Sequence, residues 1–253
     1  MEEIPYCCVT KGLQDTNVKE KLFFNFVLKV GVFMDEHMRK TVFKHALNGM
    51  HPVEKIYRLF IARHLLVPLS KTKIVPNAIT ILNFCLVPFC VYFAFVKNIP
   101  LTLLFFSAYC FVDHVDGMLA RYKNQLSRFG YALDIISDNA CFYLTTAAIG
   151  WGIVSIWWLL FSSLSMLLYD VVSSKYIAPK VRKIKLTREY KRSKLKDFFV
   201  RRYAVLIGMN FLSNQMLMLL LLPFGLFRVY YLLLSFLYLL DLLWRLKELK
   251  ANS

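Results

Sequence analysis

Several absences narrow the reading of this chain. None of its six cysteines forms a C-x-x-C pair or joins histidine in a zinc pattern, so no disulfide framework or cysteine-based metal site is expected. Cys85, Cys90, Cys110 and Cys141 sit in apolar stretches and read as small buried hydrophobes. Residues 1–18 contain no apolar h-region, so no cleavable signal peptide is expected. No internal repeat or low-complexity tract is present. Acidic residues are scarce, 16 against 32 Lys and Arg, which leaves a net charge of +16. Charged residues of both signs reach only 19 %, while hydrophobic residues reach 58 % and Phe alone numbers 22. A soluble nucleic-acid binder would spread its basic charge over a surface free of long apolar runs. The combination describes instead a membrane protein with a basic cytoplasmic face, and no nucleic-acid partner is expected.

The apolar runs set the organisation. Residues 1–18 form a polar leader, and residues 19–70 form an amphipathic juxtamembrane region. Within it, Leu22, Phe23, Phe26, Val27, Val30 and Phe33 recur at three- and four-residue steps among lysines. That pattern fits a helix in the membrane interface or one packed on the protein. Asn48-Gly49 marks a turn, and a second basic amphipathic stretch runs from Val53 to Leu69. Residues 71–253 hold the membrane domain. Pro76-Asn77 opens the first span, which runs to Val96 with a kink expected at Pro88. Further spans are expected at about 99–120, 130–153, 155–175, 203–222 and 226–246, with a tight turn at Pro223-Phe224-Gly225. The expected fold is therefore an all-α integral membrane protein with six transmembrane helices preceded by amphipathic interfacial helices. The link Lys175–Arg202 carries twelve Lys or Arg. By the positive-inside rule it places both termini and that side of the protein in the cytoplasm.

Residues 111–138 are the centre of the chain. Asp113 and Asp116 lie three apart, and Asp134 and Asp138 lie four apart. Either spacing puts a pair on one face of a helix. Ile99–Val112 has only 14 residues, too few to cross a bilayer that needs ~20. The span is complete only if its helix continues through Asp113 and Asp116. The same holds for Asp134, Asp138 and the following run. Ionisable residues at such a depth are costly and mark function. Carboxylates on facing helices repel and call for a cation. All-oxygen ligands suit Mg²⁺, Mn²⁺ or Ca²⁺ better than zinc. Gly117, Ala120 and Gly130 share the acidic faces, which fits either room for a ligand or close helix packing.

The pattern D-x-x-D-G-x-x-A-R-x8-G-x3-D-x3-D, filled by Asp113, Asp116, Gly117, Ala120, Arg121, Gly130, Asp134 and Asp138, closely resembles the signature of the CDP-alcohol phosphotransferase family. Pro-Asn-x-x-Thr at Pro76–Thr80 resembles the family's entry to its first membrane helix. The resemblance implies transfer of a phosphatidyl group from CDP-diacylglycerol to an acceptor alcohol, with release of CMP. It implies Mg²⁺ or Mn²⁺ on Asp113, Asp116 and Asp134, with Asp138 sharing a second ion and serving as general base. Gly117, Ala120, Arg121 and Gly130 would then receive the cytidine nucleotide, and a homodimer among membrane lipids is implied as well. The basic link around Arg201 and Arg202 fits either binding of anionic lipid headgroups or recognition of an acceptor that carries its own phosphate. Asn139 departs from the basic residue that often follows the last aspartate, which leaves the acceptor open. Two other readings compete. One reverses the donor, passing phosphocholine or phosphoethanolamine from a CDP-alcohol to diacylglycerol. The other is a membrane cation transporter, which would have no need of the Gly, Ala and Arg positions.

Overall fold

The computed structural model describes residues 52–187 and 211–252. The leader at 1–18, the amphipathic stretch at 19–47, the basic run from 188 with Arg201 and Arg202, and the start of the fifth expected span lie outside the described residues. Among the described residues all regular structure is helical. Two short helices come first, α1 (Pro52–His64) and α2 (Leu66–Ser70). They divide the stretch expected as one amphipathic helix.

The first span is broken as its proline requires. It consists of α3 (Pro76–Phe84) and α4 (Val87–Phe95), with Pro88 in the first turn of α4. There its missing N–H costs no helical bond. Asn98 then starts α5 (Ile99–Tyr122) by accepting the Leu101 backbone N–H at 3.2 Å. The 24 residues of α5 include Asp113 and Asp116. After a five-residue loop, Ser127 caps α6 (Arg128–Gly150), which carries Asp134 and Asp138. The apolar runs thus reach spanning length by running through the aspartates.

The next helix is longer than the sequence suggested. α7 (Ile156–Val171) continues through a π-helical turn, Val172–Ile177, into α8 (Ala178–Thr187). The expected link at Lys175 is therefore helical. Pro179 cannot donate to the carbonyl one turn earlier, and the wider π turn directly before it accommodates that loss. α9 (Phe211–Leu221) ends in a 3₁₀ turn, Leu222–Phe224, followed by Gly225 in the left-handed conformation. This is the tight turn expected there. α10 (Phe227–Asn252) closes the described chain.

Among the described residues, four segments are long and apolar enough to cross a membrane: Pro76–Phe95, Ile99–Tyr122, Ile156–Ile184 and Phe227–Asn252. They describe a multi-pass membrane protein. α6 has 23 residues, about 34 Å at 1.5 Å per residue, but its aspartates lower its apolar character. It packs instead against α3, α4 and α7.

One core cluster gathers Phe106, Tyr109, Cys141, Met166 and Tyr230 among others, and a second joins Ile61, Ala62 and Leu66 to Val115, Met118 and Leu119. Several buried polar groups are paired across the helices. Tyr230 donates to Asn214 Oδ1 at 2.7 Å, and Tyr231 donates to the Thr146 carbonyl. At the end of α6, Lys97 Nζ donates to the Ala148 carbonyl at 2.7 Å and to that of Ile149 at 3.2 Å. A cation at a helix C-terminus is favourable, and burial lowers the pKa of this amine.

Gly150 sits where α6, α7 and α10 meet. A Cβ there would lie 2.6 Å from the Tyr231 hydroxyl and nearer still to Leu159 Cδ2. Gly150→Ala is expected to destabilise the protein by about 1–3 kcal/mol through overpacking. A lower unfolding temperature in detergent is the check.

Candidate active site

Antiparallel α5 and α6 set the four aspartates at one end of the bundle. Asp113, Asp116 and Asp134 each offer an oxygen, and these three oxygens lie within 4.8 Å of one another. Asp116 is buried, and the other two are half-buried. Two such charges repel by about 3 kcal/mol at an effective dielectric near ~20. Three such pairs rival the ~5–15 kcal/mol that stabilises a whole domain. Asp116 Oδ2 is buried with no hydrogen-bond partner among the described residues. An all-carboxylate donor set with an orphaned inner oxygen fits a hard divalent cation.

Asp138 stands apart from that triad. Its Oδ1 accepts the Tyr109 hydroxyl at 2.9 Å. Tyr109 is fully buried one turn before Asp113. Its oxygen also lies 2.7 Å from Ser137 Oγ. With the tyrosine proton given to Asp138, Ser137 is the donor in that second bond. Sequence reasoning missed Tyr109, because a tyrosine in an apolar run reads as core until its partner is known. His114 Nδ1 lies 2.8 Å from the Cys110 carbonyl and 3.6 Å from Asp113 Oδ2.

Beside the triad opens a cleft of about 150 Å³. Its wall includes Asp116 and Asp134 together with Gly117, Ala120, Arg121 and Gly130. All four residues expected to meet a nucleotide therefore line one space, although they come from two helices. The two glycines differ in what they permit. A Cβ on Gly117 would lie 3.3 Å from Arg121 Nη2, so its absence lets the guanidinium lie across the helix. A Cβ on Gly130 would lie 2.5 Å from Asn77 Oδ1 and 2.9 Å from Ser127 Oγ. Gly130 thus permits close packing of α6 on the start of α3 as well as lining the cleft.

Asn77 and Thr80 of α3 complete the wall. Ser127 Oγ donates to Asn77 Oδ1 at 3.0 Å while accepting the Gly130 N–H at 2.9 Å. One hydroxyl therefore caps α6 and ties it to α3. Lys123 Nζ donates to the carbonyls of Thr72 and Ile74, each at 2.8 Å. It holds the approach to α3 against the end of α5. The Pro-Asn-x-x-Thr motif signalled these residues, but only the packing shows that they face the acidic helices.

No curated protein matches the chain. A family model described as CDP-alcohol phosphatidyltransferase matches residues 73–227. That stretch contains all eight signature positions, both acidic helices and the cleft between them. It covers more than half of the chain, so the protein belongs to the CDP-alcohol phosphatidyltransferase family, whose members transfer a phosphoalcohol from a CDP-alcohol to an acceptor alcohol.

Proposed function

We propose that this chain transfers a phosphatidyl group from CDP-diacylglycerol to the hydroxyl of an acceptor alcohol, releasing CMP. The observation that carries this reading is the junction of the carboxylate triad with a cleft lined by every expected nucleotide position. An apolar groove of about 550 Å³ supports a diacylglycerol-bearing substrate. Val87, Val91 and Phe95 of α4 face Ala140 and Leu144 of α6 there. It begins two residues beyond Asp138, so acyl chains lying in it would bring a lipid phosphate to the carboxylates.

In this reading Asp113, Asp116 and Asp134 hold Mg²⁺ or Mn²⁺, with Asp138 at the edge of the set. A divalent cation held there would neutralise the diphosphate and stabilise the departing CMP. Arg121, Gly117 and Ala120 receive the nucleotide in the cleft. Tyr109 fixes Asp138 through Oδ1, and the other oxygen of that carboxylate takes the acceptor's proton. The P–O bond to CMP breaks as the acceptor oxygen bonds to the same phosphorus. Such a base must reach its proton directly or through one water.

The site faces the cytoplasm. Lys123 and Arg128 flank the loop that joins the acidic ends of α5 and α6. Trp151 and Trp157 are exposed at the other end, as aromatic residues at a membrane interface are. Trp151 stands 17 residues after Asp134 on one helix, about 26 Å along its axis. In a ~30 Å hydrocarbon core that leaves the carboxylates just inside the opposite edge, within reach of both lipid phosphate and cytosolic nucleotide.

Two measurements test this reading. CMP release from CDP-diacylglycerol with Mg²⁺ should depend on one acceptor among glycerol 3-phosphate, inositol, inositol phosphate, serine and choline. Asp138→Asn should lower its rate by about 10²–10⁴-fold while CDP still binds. Release from CDP-choline with diacylglycerol, and none from CDP-diacylglycerol, would reverse the donor. Separately, Mn²⁺ should raise the unfolding temperature of the wild-type protein, and Asp134→Asn should abolish that rise. An equal rise in the variant would rule out the triad as the cation site.

A further inference from the structure

The helix α1 lies outside the family-matched stretch, yet it packs onto the helix that bears Asp113 and Asp116. Tyr57 meets the rings of Phe111 and His114 edge-on at 5.6 and 5.7 Å. Its hydroxyl accepts Gln215 Nε2 at 2.8 Å, and the same Nε2 reaches Ser107 at 3.0 Å. Ile61 and Ala62 are buried against Val115, Met118 and Leu119. This seating fixes the residue next to Tyr57, which is Arg58.

Arg58 is only partly answered by its surroundings. Nη2 pairs with Glu54 Oε1 at 2.7 Å, and the side chain is 13 % exposed. Its Nε and Nη1 are buried with no hydrogen-bond partner among the described residues, and so is Nε of Arg121. The two guanidinium charges act on each other, and both act on His114 between them in the chain. Two cations in a sheltered place repel unless an anion joins them. Asp116 and Asp113 attract Arg121 from a distance, but no carboxylate among the described residues hydrogen-bonds to these three nitrogens. Arg121 also lines the nucleotide cleft, so the unanswered donors stand at the edge of the acidic site. A guanidinium presents a planar fork of donors suited to phosphate oxygens.

We propose that Arg58 and Arg121 form a phosphate-binding clamp beside the carboxylate triad, with α1 supplying the arm that the family-matched stretch lacks. The ligand is a phosphate group of a substrate, either the nucleotide diphosphate or a phosphate carried by the acceptor. The inference rests on reading the acidic cluster as a phosphoryl-transfer site. Glu54 is a placeholder in this arrangement: it steadies Arg58 through one nitrogen and leaves the other edge of the fork for the ligand.

The test uses the full chain in detergent, titrated with CDP and with glycerol 3-phosphate, in Mg²⁺ and in EDTA, without turnover. Arg58→Gln should weaken binding of at least one probe by about tenfold or more, the scale of a lost charge-assisted bond. Arg58→Lys, which keeps the charge but not the fork, should fall between the two. Glu54→Gln should bind as well as the wild type or more tightly, since a competing carboxylate is gone. Loss confined to CDP identifies the diphosphate as the ligand, and loss confined to glycerol 3-phosphate identifies an acceptor phosphate. The clamp is overturned if Arg58→Gln and Glu54→Gln both lower the unfolding temperature but keep both affinities within about twofold of wild type. That result would make Arg58 part of a structural ion pair only. A wild-type protein that binds neither probe overturns the clamp as well. Arg58-dependent binding of glycerol 3-phosphate without any binding of CDP would keep the clamp and remove the nucleotide reading.

Discussion

Three carboxylates forced together at the end of two membrane helices are the constraint on which the rest of this structure depends. Their mutual repulsion is comparable with the stability of an ordinary domain, so the surrounding packing must hold α5 and α6 in place. Stacked rings and small buried residues do this along the shared walls. Phe105 of α5 stacks on Phe89 and Phe93 of α4 at 5.4 and 5.1 Å, and Cys90, Cys110 and Cys141 fill the interior without side-chain charge. The carboxylates are thereby presented in a fixed geometry, which is what a cation-binding site requires.

The polar end of the bundle is secured by a few bonds with two purposes each. Ser127 both caps α6 and binds Asn77. Lys123 closes the connection before α3 through two carbonyls. Gly130 allows the approach that makes the Ser127–Asn77 bond possible. These contacts lie on the rim of the cleft, so the groups that hold the helices together also shape the space a nucleotide would enter. Tyr109 extends the same economy inward: one buried hydroxyl orients Asp138 and satisfies Ser137.

Segments beyond the family-matched stretch are built into this framework. α1 is locked by aromatic contacts and by Gln215 from α9. α10 carries its own buried set, in which Asp241 accepts Tyr169 at 2.8 Å and Arg245 at 2.9 Å. That set neutralises a charge within the apolar core through close pairing, which the acidic triad cannot do with the side chains around it. The contrast separates a structural aspartate from a ligand-binding one: Asp241 is answered within the protein, and Asp116 is left with an open oxygen.

The amino-acid sequence alone determined the class of fold, the breaks at Pro88 and before Gly225, and the identity of the acidic residues. Spacing on a helix is a local property, and the 14-residue runs beside the aspartates could be completed only by including them. It did not reveal that the helix runs on past Lys175, because a π turn depends on how one carbonyl is relieved beside Pro179. Nor did it reveal that Asp138 is held by Tyr109. It also could not separate the roles of Gly117 and Gly130, since both are small residues on an acidic face. Asn77 is 53 residues from Gly130, and Tyr57 is 158 from Gln215. Such contacts arise from the way helices cross, and no local pattern encodes a crossing. The tertiary structure decided which carboxylates share a point in space, which glycine serves packing, and which arginines remain unanswered at the edge of the site.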